Sequence, residues 1–134
     1  MRCLDIADLV KSALVEVGCD PSLIGTLDGH STIVLDFHDL PSIYITAMDE
    51  GVWIWSRIVD YHEAVLNNRA ANILRELMKP SDYILNGFSS LCEGERELEF
   101  KVLVKEHYLS EGRLFAKALN GFFDRVESLC AVIK

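Results

Sequence analysis

The sequence lacks the short motifs that mark most small enzymes and nucleotide-driven machines. Around Gly25, Gly29 and Gly51 there is neither GxGxxG nor GxxxxGK[ST], which disfavours an ATP-driven motor or chaperone. No GxSxG marks an elbow nucleophile. His30, His38, His62 and His107 have no His or Cys at i+3 or i+4, so no zinc-ligand spacing exists, and no metal or other cofactor is expected. The four cysteines, Cys3, Cys19, Cys92 and Cys130, form no CxxC pair and read as free thiols in a reducing compartment. The longest apolar run is Leu129 to Ile133, far short of a membrane span. Acids interrupt the N-terminus before a secretory apolar region forms, so the chain is expected in the cytosol.

Basic charge is also scarce. Thirteen Lys and Arg stand against 21 Asp and Glu, a net charge of −8. Residues 1–40 alone hold two basic and seven acidic side chains. Without a basic cluster, nucleic acid and anionic membrane are poor partners. Acidity of this kind serves solubility, and it also suits a basic or neutral peptide partner. Glu97 and Glu99 share one face of a predicted strand and read as a solvated acidic face rather than an acid/base pair.

What is present is apolar. Half of the 134 residues are hydrophobic. A chain of this size is expected to be one domain, residues 1–134, burying roughly 68% of its extended-chain surface. Ile6, Leu9, Val10, Ala13, Leu14 and Val17 recur at helical spacing and predict a helix over Leu4–Val17, ended by Gly18. Cys19–Ser22 reads as a loop at Pro21. Period-2 alternation predicts strands over Ser31–Asp39, Ile43–Met48 and Val52–Ile58, with Asp49-Glu50-Gly51 as a hairpin turn. A second helix spans about Tyr61 to Met78, with two flanking apolar stripes. Strands follow over Tyr83–Cys92 and Leu98–Lys105, and Ser110 reads as the N-cap of a final helix. Gly121 inside that helix costs about 1 kcal/mol against alanine and so suggests close packing. The fold class is α+β, in the order α-β-β-β-α-β-β-α, with an antiparallel sheet and helices packed on it.

Large side chains occupy both faces of the first three strands. Either Trp53 and Trp55 pack under the last helix, or one sheet face is a wet apolar surface that needs a partner. Together with helix two, this suggests one surplus surface for self-association and one for another protein.

Several blocks resemble a known family. Gly18-Cys19-Asp20-Pro21-Ser22-Leu23-Ile24, His30-Ser31-Thr32-Ile33-Val34-Leu35-Asp36, Asp39-Leu40-Pro41-Ser42-Ile43, Val52-Trp53-Ile54-Trp55 and Ala118-Leu119-Asn120-Gly121-Phe122-Phe123 look like the invasion-associated type III secretion chaperones, the InvB/SpaK family (class IB). The resemblance runs from about residue 4 to residue 128. It implies a small, acidic, cytosolic homodimer without ATPase or other enzyme activity. Such a protein binds extended segments near the N-termini of several secreted effectors and keeps them stable and secretion-competent. The implied partners are a second copy, those effectors and the secretion apparatus, with its ATPase as one candidate contact.

An extended segment can add to a sheet edge and seat alternate side chains in apolar pockets. The effector-binding surface is therefore expected at Leu9, Ala13, Leu14, Ile33, Leu35, Phe37, Ile43, Ile45, Trp53 and Trp55. One sequence does not fix which face of each strand points outward. By the same resemblance the dimer surface involves helix two and the later strands, and Val65, Leu66, Arg69, Ile73 and Leu74 are its candidates. Two other functions stay open on the residues alone: a small ligand-sensing regulatory module, and a small cysteine-dependent enzyme, which would need an exposed thiol of low pKa.

Overall fold

The computed structural model describes residues 5–18, 32–60 and 63–133. The expected helix starts at Leu4 and Tyr61, the loop at Cys19–Ser22 and the strand start at Ser31 lie outside those residues, as do Cys3, Cys19, His30 and His62. Among the described residues the elements run α1 (Ile6–Glu16), β1 (Ile33–Leu35), β2 (Ile43–Met48), β3 (Gly51–Asp60), α2 (Glu63–Leu77), β4 (Ser90–Glu93), β5 (Glu97–Leu103), a 3₁₀ turn (Glu106–Leu109) and α3 (Gly112–Ile133). The predicted order holds.

Asp5 caps α1 by accepting the Asp8 backbone N–H at 3.2 Å, which satisfies one of the helix's free donors. The sheet is antiparallel throughout, in the order β1-β2-β3-β5-β4. A two-residue turn, Asp49-Glu50, joins β2 to β3. Ile33, Ile45, Ile54 and Val102 are cross-strand neighbours in one row, all buried. They face α1 and α3, whose Val10, Ala13, Phe115, Phe122 and Val126 are fully enclosed. Among the described residues the core therefore lies on one side of the sheet.

Two close approaches hold the helices. A Cβ on Gly112 would stand 2.0 Å from the Ser12 hydroxyl, so α3 crosses α1 at a point where only glycine fits. A Cβ on Gly121 would stand 2.5 Å from the Tyr83 ring, which is the close packing the sequence suggested. Arg125 of α3 reaches the end of α2. Its guanidinium donates to the Glu76 carbonyl at 2.9 Å, which also accepts the Lys79 backbone N–H, and to the Lys79 carbonyl just past the helix.

Three expected boundaries are corrected. β1 is three residues long rather than Ser31–Asp39. Beyond Leu35 the chain leaves the ladder, the Ser42 hydroxyl donates to Asp36 at 2.5 Å, and Phe37 packs its ring on Phe123 of α3, centroids 5.1 Å apart. The strand expected over Tyr83–Cys92 is confined to Ser90–Glu93 plus one bridge between Ile84 and Val104. Asn86 and Gly87 adopt left-handed backbone angles, φ 67° and 86°, which a continuous strand cannot contain. Ser110 does not cap α3. Its hydroxyl donates to the His107 carbonyl and closes the 3₁₀ turn, and α3 starts beyond it at Gly112.

Candidate functional site

The sheet face turned away from α1 and α3 is uncovered among the described residues, and it is built by register. Val34, Tyr44, Trp55, Lys101 and Ser90 form one row across all five strands. Thr46, Trp53 and Leu103 form the next. Val52 and Ile54 point into the core, so strand alternation sends Trp53 and Trp55 outward. Of the two arrangements the sequence left open for these tryptophans, the structure has the outward one.

Both indoles are held. Trp55 Nε1–H donates to the Thr46 hydroxyl at 3.1 Å, and Thr46 in turn bonds the Thr32 hydroxyl at 3.0 Å. Trp53 Nε1–H donates to the Glu50 carboxylate at 2.8 Å, and this bond holds that carboxyl below its usual pKa. Tyr44 stacks on Trp55 with centroids 4.3 Å apart and planes 16° from parallel. The Arg57 guanidinium lies 5.3 Å from the Tyr44 ring centre and 5.6 Å from that of Trp55, and the Lys101 ammonium lies 6.0 Å from Trp55. Lys101 pairs with Glu99 at 3.1 Å, and Arg57 approaches Glu97 at 3.8 Å. An open hollow of about 500 Å³ lies over Thr46, Trp53, Trp55 and Lys101, and a second of about 170 Å³ continues past Trp53 to Leu85 and Phe88.

The structure separates the residues expected to bind a partner. Ile33, Ile43, Ile45, Leu9 and Ala13 are buried in the chain's own core, and Leu14 and Leu35 are half-buried against it. Phe37 is 38% exposed beside Phe123. Trp53 and Trp55 share the outer face. An external chain reaching the buried isoleucines would have to displace a helix. The expected dimer residues divide likewise. Ile73 is 3% exposed and Leu66 packs against the core, Val65 is half-buried, and Arg69 and Leu74 are exposed, Leu74 at 58%. One turn beyond Leu74, Met78 is 62% exposed. Sequence reasoning missed Tyr44, Glu50, Arg57 and Lys101. Period 2 from Trp53 already puts Arg57 on the tryptophan face; the other three needed the cross-strand register.

Among the described residues no group of three or more His, Cys, Asp or Glu could hold a metal ion. No described helix is long and apolar enough to cross a membrane. What this site offers is aromatic surface, hydrogen-bonding edges and a few charges.

The fold is that of a type III secretion chaperone. It matches, with a TM-score of 0.59 and 14% identity, a chain in the heterodimeric ExoU–SpcU complex from the type III secretion system of Pseudomonas aeruginosa, covering 92% of this chain and 94% of that one. The sequence narrows the class. Residues 18–95 match the invasion protein B family. The surface presentation of antigens protein SpaK of Salmonella typhimurium, and that of Salmonella typhi, is 48% identical over 127 residues, covering 95% of this chain and 94% of the relative. The chain belongs to the invasion protein B family, the family its sequence blocks resemble.

Proposed function

We propose that this chaperone acts in the bacterial cytoplasm as a homodimer, without ATP or any catalysed reaction, and binds extended N-terminal segments of several secreted effectors. The observation that carries the reading is the edge of the sheet. Among the described residues β1 pairs only with β2, so its other side presents unpaired backbone groups to an incoming strand. Val34, 46% exposed, lies on that edge strand beside the tryptophan face. Main-chain bonds are indifferent to side chains, which lets one edge serve several clients.

The residues proposed to touch a client are Val34, Phe37, Trp53 and Trp55. Ile33, Ile43, Ile45, Leu9 and Ala13 support the reading indirectly, since they hold the edge strand in place. Self-association is proposed through α2, whose outward ridge carries Leu74 and Met78. The secretion apparatus, with its ATPase as one candidate contact, would receive the loaded complex.

Affinity purification with mass measurement of intact complexes tests this. Two copies of the chain with one larger protein, protected from protease near its N-terminus, is the expected result. A lone monomer with no protein partner, from cells that secrete effectors, overturns it.

A further inference from the structure

The two outward indoles of β3 are served differently. Trp55 has its cations supplied from within the chain, by Arg57 and Lys101. Trp53, two residues earlier on the same face, has no cation over its ring among the described residues. Its indole N–H is nevertheless tied to Glu50, an exposed carboxylate with which no described cation pairs. Trp53 also lines both hollows, together with Ser90 and Lys101, so open space adjoins its ring. Lys101 borders both hollows, but its charge is taken up by Glu99 at 3.1 Å. Along one strand the sheet thus carries two indole platforms, one at Trp55 with the Tyr44 ring and two cations in place, and one at Trp53 with neither a stacked ring nor a cation among the described residues.

We infer that Trp53 and Glu50 form a seat for one basic side chain, lysine or arginine, on an extended segment of a bound client. The inference rests on the chaperone reading and gives its client a chemistry. The alkyl stem of the incoming residue lies along the indole while its charged head reaches the Glu50 carboxylate, so cation–π attraction and an ion pair act together. Donation from the indole N–H to the carboxylate enriches the ring and strengthens its hold on the cation. An extended segment turns every second side chain toward the sheet, so one basic residue among small apolar neighbours suffices. A chain of net charge −8 draws such a segment in by its field.

The chain has two tryptophans, so ¹⁵N-labelled full-length protein gives two indole N–H resonances, told apart with Trp55→Phe. The probe is a capped heptapeptide of threonine, serine and valine with a central lysine, compared with its norleucine and glutamate twins. The lysine peptide is expected to shift the Trp53 resonance saturably. It should bind about tenfold more tightly than the norleucine twin, and Glu50→Gln should abolish most of that difference. Lysine and norleucine peptides of equal affinity, insensitive to Glu50→Gln, would overturn the seat and leave a plain apolar groove. No shift at Trp53 up to about 10 mM peptide, a bound state weaker than any useful contact, would also overturn it. Glu50 lies in an exposed turn, so the variant keeps its fold. Client capture is read separately: a client complex without the Trp53 shift removes only this seat, whereas a Trp53 shift without any client removes the chaperone reading.

Discussion

Tyr83 and Gly121 show how single residues set this fold's tolerances. The Tyr83 ring lies where a Cβ on Gly121 would be, so Gly121→Ala sets two effects against each other. Helix propensity favours alanine by about 1 kcal/mol. Overpacking costs about 1–3 kcal/mol, because the ring is 6% exposed and has little room to retreat. The expected result is an unfolding free energy lowered by about 1 kcal/mol, read as a lower urea midpoint; a raised midpoint would mean that the ring moves aside freely. The Tyr83 hydroxyl is buried without a hydrogen-bond partner. Burial pushes its pKa up to about 12 from 10.0, against the opposing pull of nearby Arg125. A phenol that ionises less readily folded than unfolded adds stability that is complete below pH 10 and lost as pH rises through that window toward 12. Unfolding free energy should therefore fall by about 2 kcal/mol over that range, and Tyr83→Phe should flatten the fall. The variant should be no less stable near neutral pH, since the buried hydroxyl, with Ser81 beside it, makes no well-formed hydrogen bond.

At the level of elements, α2 separates two roles that its sequence merges. Helical periodicity placed Val65, Arg69, Ile73 and Leu77 on one stripe and Leu66, Ala70 and Leu74 beside it, a face too broad to divide without knowing where α3 lies. In the fold Ile73, Leu66 and Leu77 turn inward and Leu74 and Met78 outward. Two substitutions one residue apart should then behave differently. Ile73→Asp buries a charge at a cost of about 3–5 kcal/mol, much of a small domain's stability, and is expected to unfold the chain. Leu74→Asp should keep the circular dichroism of the parent while light scattering reports a mass near one chain instead of two. A folded Leu74→Asp dimer would exclude this ridge as the interface. β1 teaches a similar lesson. Alternation from Ser31 to Asp39 promised a long strand, but pairing with β2 covers three residues, and the Phe37 ring meets Phe123 of α3 instead of joining the ladder.

Over the whole molecule, alternation and helical spacing in the sequence determined the element order and the antiparallel hairpin at Asp49-Glu50-Gly51, because each depends on neighbours a few residues apart, while the family was carried by the resemblance of ordered sequence blocks. The close packing at Gly121 was legible for the same reason: a glycine in a helix needs a cause. Sequence could not decide which apolar residues are core and which are surface. Ile43, Ile45, Trp53 and Trp55 look equally apolar in one dimension, yet among the described residues the helices cover one side of the sheet, so the isoleucines became interior and the tryptophans surface. The row that joins Tyr44, Trp55 and Lys101, and the setting of Trp53 against Glu50 beside two hollows, come from strand register and a turn. Only tertiary structure decided them, because side chains from separate strands become neighbours only once backbone hydrogen bonds lock those strands side by side.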